Sequence, residues 1–198
     1  MTESSSASRT WSWQPTALLM LFLGPLLLAL ALYYGSDRWR PAGGTNHGIL
    51  IAPPVVLPQL PPAVGAADQD SGDLRGRWTL VYVDTGSCET RCSEALYRGR
   101  QTREALGRNM ERVERLYVHR GPAPPAETFV DPDGLRVMTS DEEEARALLA
   151  ALPAELITGN DLLLVDPLGN LMMRFPLDGD PKGMLTDLKK LLKLSRIG

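Results

Sequence analysis

The sequence predicts an α/β domain with element order βαβα-ββα, preceded by one N-terminal helix that spans a membrane. Three observations carry that reading. Ala17 to Tyr34 is an uncharged apolar run, and with its flanks it is just long enough to cross a bilayer as a helix. Trp78-Thr79-Leu80-Val81-Tyr82-Val83 is β-branched and aromatic, as a buried strand is, and it leads through a Thr-Gly-Ser turn to Cys88 and Cys92, the only cysteines in the chain. Near the C-terminus, Leu162 to Val165 and Leu171 to Phe175 flank a Pro-Leu-Gly-Asn turn, which reads as a hairpin before a closing helix.

Taken in order, the 198 residues divide into a tail at 1–15, an anchor at 16–35, a Pro/Gly-rich linker with lead-in strands at 36–73 and a domain at 74–198. Trp11, Trp13, Tyr33 and Tyr34 flank the apolar run as interfacial aromatics do. A cleaved signal peptide is the competing reading, opposed by the bulky tyrosines and the absence of a clear small-x-small site. Arg9 stands on one side of the run and Arg38 and Arg40 on the other, so the positive-inside rule does not set the orientation. Net charge is −3 with no basic stripe, which argues against a nucleic-acid partner.

In the linker, Ile49-Leu50-Ile51 and Val55-Val56-Leu57 read as short edge or hairpin strands, and Ala63 to Gly72 as a loop. After the cysteines, Ser93 to Glu114 reads as a helix with Leu96, Met110 and Val113 on one face. Leu116 to His119 is the next buried strand, parallel to the first, ended by Gly121-Pro122-Ala123-Pro124-Pro125. Ser140-Asp141-Glu142-Glu143 reads as a capping box for a helix that Pro153 stops near Leu152. Asp180 to Leu194 closes the chain, with Leu185, Leu188, Leu191 and Leu192 inward and Lys189, Lys190 and Lys193 outward. This order of elements is that of a thioredoxin fold.

A strand that feeds two cysteines into a helix N-terminus is the geometry of a thiol redox or metal-thiolate site, because unpaired N–H groups and the helix dipole stabilise a thiolate there. Cys88 and Cys92 are therefore the candidate catalytic residues. Two plainer readings stand beside this one: a structural disulfide, and two unrelated thiols. A bridge closing so short a loop restrains the unfolded chain by only roughly 2 kcal/mol. Asp84 can influence the thiols or simply cap its own loop, and Arg91 can stabilise a thiolate or be solvated. A trigonal metal site needs a third ligand, for which the chain has two histidines. His47 lies in the linker, and His119 ends the strand beside the cysteine strand. Met172 and Met173 alternate faces of a strand, where core packing is the ordinary use. No Gly-rich phosphate loop, Ser-His-Asp set or paired carboxylates stand out.

The residues Leu74-Arg75-Gly76-Arg77-Trp78, the strand after them, Gly86-x-Cys88-x-x-x-Cys92, and Leu162-Leu163-Leu164-Val165-Asp166-Pro167-Leu168-Gly169-Asn170 resemble the Sco/SenC family of thioredoxin-like copper proteins, which assist assembly of cytochrome c oxidase. The scattered matches cover roughly residues 47 to 192, and the Leu-x-Gly-x-Trp lead-in is shared with peroxiredoxins. Two departures matter. Ser93 stands where the family usually has Pro, and Glu155 to Asn160 lacks the family's copper-ligand His, with Thr158 near its place. The resemblance implies a single-pass inner-membrane protein with a periplasmic domain and an oxidase subunit or another assembly factor as partner. It implies a role for Cys88 and Cys92 in reducing a copper-site apoprotein or in handing on Cu(I). The missing His favours thiol–disulfide exchange, with Cys88 attacking and Cys92 resolving. A redox-inert binding module with a Cys88–Cys92 staple is the competing class. A peroxiredoxin-like peroxidase is a weaker one.

Overall fold

The computed structural model describes residues 13–35, 45–60, 74–84, 86, 88–121 and 135–197. The expected 63–72 loop and 122–125 terminator, and Thr85 and Ser87 of the turn, lie outside them. The chain forms two compact units, Met1–Gly44 and Thr45–Gly198. In the first, helix α1 (Trp13–Gly35) carries a single internal Pro25 and is, by length and composition, long and apolar enough to cross a membrane.

The second unit is a six-stranded sheet of order β1-β6-β5-β2-β3-β4. Its elements are β1 (Ile49–Val56), β2 (Trp78–Val83), α2 (Thr90–Glu104), β3 (Val113–His119), β4 (Leu135–Thr139), α3 (Glu143–Ala151), β5 (Asp161–Val165), β6 (Asn170–Pro176) and α4 (Pro181–Leu194). Every residue of β2 is buried, so its apolar run is continuous rather than alternating. Leu80 and Tyr82 pack with α2 and α4, while Val81 and Val83 pack on the opposite face with Ala145 and Leu148 of α3.

β2 pairs in parallel with β3 and antiparallel with β5, and the hairpin partner β6 in turn pairs with β1. The two apolar runs of the linker are one strand rather than a hairpin. β1 runs through both, with a cis Ala52–Pro53 peptide and an irregularity in register between Leu50 and Val55. It lies at the sheet edge, where prolines are tolerated. β4, parallel to β3 at the other edge, was not expected. Its five residues follow a proline-rich stretch and only Met138 is buried, so periodicity gives little signal.

The cysteine helix is shorter than expected. α2 ends at Glu104, a 3-10 turn covers Gly107–Arg112, and Val113 and Glu114 already belong to β3. Gly107, at φ +56, turns the chain out of the helix. Met110 is consequently exposed. The buried face of α2 is a stripe of small side chains, Cys92, Ala95, Gly99 and Thr102, at helical spacing. α3 begins at Glu143 with Glu142 as N-cap and no side-chain cap bond. The expected capping box is replaced by Glu142 accepting from the Thr139 N–H at 3.0 Å and hydroxyl at 2.7 Å. α4 starts at Pro181, with Asp180 capping the Lys182 N–H. Leu188 and Leu192 are buried, and Lys189, Lys190 and Lys193 are exposed.

The chain enters this unit through a clasp. Asp187 of α4, 2 % exposed, accepts the N–H groups of His47 at 2.6 Å and Gly48 at 2.8 Å through Oδ2. Its Oδ1 lies 3.1 Å from His47 Nδ1, and Lys190 donates to the Thr45 carbonyl at 2.8 Å.

Candidate active site

β2 delivers the chain to the sheet's C-terminal edge, and Cys88 precedes the extended N-cap residue Glu89 of α2. Cys88 is half-buried, whereas Cys92, in the first helical turn, is 2 % exposed. The two form a disulfide with Cα atoms 5.0 Å apart, inside the usual range.

Behind Cys92 lies a polar group that parallel pairing assembles. The β2–β3 register sets Tyr82 beside Tyr117 and Val83 beside Val118. Side chains two apart share a face, so Asp84 and His119 extend the same row. Asp84 is 1 % exposed and His119 3 %. Asp84 Oδ1 accepts the N–H of Gly86 at 3.1 Å and of Arg120 at 2.7 Å. Asp84 Oδ2 accepts the Tyr117 hydroxyl at 2.6 Å and lies 2.7 Å from His119 Nδ1. Tyr117 Oη is 3.0 Å from His119 Nδ1 and 3.6 Å from Cys92 Sγ. The Tyr82 and Tyr117 rings stack at 6.0 Å, and the Tyr82 hydroxyl donates to the Gly159 carbonyl at 3.2 Å.

The electrostatics follow from this packing. Burial pushes the Asp84 carboxyl up, but the bonds from Tyr117, the Arg120 N–H and His119 outweigh it and hold Asp84 below its ordinary value. Burial and the neighbouring Asp84 charge push Tyr82 up to about 12. Burial and the bond to Asp84 push Tyr117 further in the same direction. Both phenols are therefore neutral at physiological pH, above a fixed carboxylate.

The other candidates are distributed as follows. His119 is tied into this group through Nδ1, and its buried Nε2 has no hydrogen-bond partner among the described residues. A Cβ at Gly121 would sit 2.7 Å from that nitrogen, so the chain passes close over the ring. Among the described residues, no group of three His, Cys, Asp or Glu side chains is placed to hold a metal ion. His47 belongs to the α4 clasp. Arg91 reaches the side-chain oxygen of Asn160 and, with Thr158, Glu155, Asp161, Arg174, Pro176 and Asp178, lines a polar cavity of about 400 Å³. Met173 is core and Met172 half-buried. Tyr117 is the site residue that the sequence did not single out. The i, i+2 pairs Tyr82/Asp84 and Tyr117/His119 on parallel strands were the available signal.

Comparison with known proteins places this arrangement. In the solved structures, apo Sco1 from Thermus thermophilus matches with TM-score 0.54 at 16% identity, over 76% of this chain and 99% of that one. Copper-bound yeast Sco1 matches with TM-score 0.51 at 15% identity, over 77% of this chain and 96% of that one. At such identities the likeness is one of fold. No curated protein matches the chain significantly. The family model described as the transmembrane-like, thioredoxin-like, C-terminal domain matches residues 78–195, from the first residue of β2 to the residue after α4. With more than half of its length matched, and Sco/SenC proteins as structural neighbours of its thioredoxin-like fold, the chain belongs to the transmembrane-like, thioredoxin-like C-terminal domain family.

Proposed function

We propose that this protein is a membrane-anchored, periplasm-facing thioredoxin-like factor that aids assembly of cytochrome c oxidase, acting by thiol–disulfide exchange at Cys88 and Cys92 on a copper-site apoprotein. In this reading residues 1–15 are cytoplasmic, 16–35 span the inner membrane and 36–73 tether and lead into the 74–198 domain. The observation that carries the chemistry is the asymmetry of the pair: two sulfurs in bonding reach, the first half-buried ahead of the helix and the second enclosed within its first turn. The oxidase target comes from the resemblance to Sco/SenC proteins.

In the reduced protein the accessible Cys88 thiolate attacks one sulfur of the target disulfide, and the other target sulfur leaves and takes a proton. Cys92 then gives up its proton and attacks Cys88 Sγ. This closes the internal disulfide and releases the second target sulfur as a thiol. Two electrons and two protons pass to the target. Cu(I) as cargo would rest on the two sulfurs, since no His, Asp or Glu joins them in a group of three among the described residues.

Trapping tests the proposal. With Cys92→Ser, Cys88 should form a stable mixed disulfide with an oxidised oxidase copper-site apoprotein, and Cys88→Ser should form none. Absence of the adduct under conditions that reduce the wild-type pair refutes the exchange role. Cu(I) titrated in parallel against a chromophoric chelator should show weak binding.

A further inference from the structure

We propose that Tyr117 sets the redox balance of the cysteine pair. Its hydroxyl, oriented by Asp84 and His119, accepts a hydrogen bond from the Cys92 thiol in the reduced protein and gives none to the disulfide. This rests on the thiol–disulfide reading and narrows its substrate class.

Asp84 is a buried carboxylate whose Oδ1 is filled by the Gly86 and Arg120 N–H groups at 3.1 and 2.7 Å. Its Oδ2 lies 2.7 Å from His119 Nδ1. Two acceptors do not approach so closely without a hydrogen between them, and a carboxylate has none to give, so Nδ1 carries it. That nitrogen, 3.0 Å from Tyr117 Oη, therefore cannot accept the phenolic hydrogen. The hydrogen goes to Asp84 Oδ2 at 2.6 Å. The Tyr117 oxygen is left presenting a lone pair to Cys92 Sγ, 3.6 Å away. In the disulfide neither sulfur bears hydrogen, so two acceptors face one another. Reduction by two electrons and two protons breaks the S–S bond and places a hydrogen on each sulfur. Cys92, enclosed and facing that oxygen, donates its hydrogen to Tyr117.

A bond present only in the dithiol raises the reduction potential of the pair above what the same sulfurs would show without the hydroxyl. The pair is then a milder reductant, and the disulfides it can reduce are those of higher potential. These are exposed or strained bridges, such as a labile metal-site cysteine pair, rather than buried structural ones. Asp84 and His119 act through Tyr117 and are positioning residues.

The test is the thiol–disulfide equilibrium of the full chain in detergent micelles against mixtures of reduced and oxidised glutathione, read by alkylation. Tyr117→Phe deletes one hydroxyl and should shift the equilibrium toward the disulfide by about three- to tenfold, about 15–30 mV more negative at 29.6 mV per tenfold. Tyr82→Phe deletes a neighbouring buried hydroxyl that donates to the Gly159 carbonyl, and it should shift the equilibrium by clearly less than Tyr117→Phe. A second readout is independent of tyrosine substitution. In reduced Cys88→Ser, where Cys92 is the only thiol, the infrared S–H stretch should lie below that of a free thiol. An unchanged or less negative potential in Tyr117→Phe, an equal shift in Tyr82→Phe, or a free-thiol S–H band overturns the proposal. If the wild-type bridge resists all glutathione and dithiothreitol mixtures in the folded protein, the exchange reading fails as well.

Discussion

Replacing Asp187 by alanine removes the buried acceptor of two N–H groups, that of the part-exposed His47 at 2.6 Å and that of the buried Gly48 at 2.8 Å. Hydrogen bonds to a charged partner are worth about 1.5–3 kcal/mol each, and the abandoned donors carry a desolvation cost. The segment could fray to let water in, which would cap the loss. Fraying is itself opposed, because a Cβ at Gly48 would lie 2.5 Å from Phe175 Cε1 and 2.6 Å from Met173 Sδ, so this backbone rests directly on the core. The expected destabilisation is about 2–4 kcal/mol. Asp187→Asn keeps one oxygen for both N–H groups and turns its amide nitrogen to His47 Nδ1, so its cost should be only about 1 kcal/mol. Urea unfolding of the chain in micelles, followed by amide exchange at His47 and Gly48, measures both quantities. An alanine variant within about 0.5 kcal/mol of wild type, with those two amides still protected, would refute the reasoning, because the clasp would then not be what orders the segment.

Three further outcomes are expected. Gly99→Ala should stabilise the domain by about 0.5–1 kcal/mol in urea melts, since the added methyl meets only Arg115 Cδ at 3.7 Å and Leu162 Cδ2 at 4.0 Å. Gly121→Ala should destabilise it by about 1–3 kcal/mol, because its methyl would press on the Gly86 carbonyl oxygen and lie 2.7 Å from His119 Nε2; a neutral result would mean the loops around the disulfide move freely. Asp84 is held below its ordinary value, so its contribution to stability is complete above the unfolded carboxylate pKa of about 3.9. It is lost as pH falls through the lower folded value, so Asp84→Asn should be less stable at neutral pH and show a shallower acid limb in a pH series of urea melts.

What the sequence disclosed depended on whether a signal was local. The run from Trp78 to Val83 and the hairpin around Pro167-Leu168-Gly169 are decided by neighbouring residues, and strands β2, β5 and β6 lie within a residue or two of where they were read. Leu96 does pack against the core, but Met110 and Val113 continue its spacing beyond Glu104, where α2 ends. The actual contact face consists of Cys92, Ala95, Gly99 and Thr102, which a search for large apolar residues passes over. Asp84 was visible as a residue near the thiols, yet its partners Tyr117 and His119 arrive from another strand. Only the parallel register connects them, and register is a tertiary property. The same holds for His47, whose neighbour Asp187 lies far along the chain.

The small-residue face of α2 has a mechanical meaning. Helices are normally fixed on a sheet by large side chains that act as teeth, resisting both lift and slip. A face of Cys, Ala, Gly and Thr lies close to the sheet but is smooth, so beyond the packing of Leu96 it resists lifting while giving little purchase against sliding along the helix axis. Axial position then depends on a few pins. These are the Arg91 bond to Asn160 at the leading end, the Arg98 bond to the Gly179 carbonyl at 3.3 Å, and the Arg103 bond to the Val113 carbonyl at 2.8 Å toward the trailing end. The disulfide ties the first turn only to the residue ahead of its N-cap, so opening it leaves these pins in place. The helix thus behaves as a rod whose register is kept by a few polar contacts.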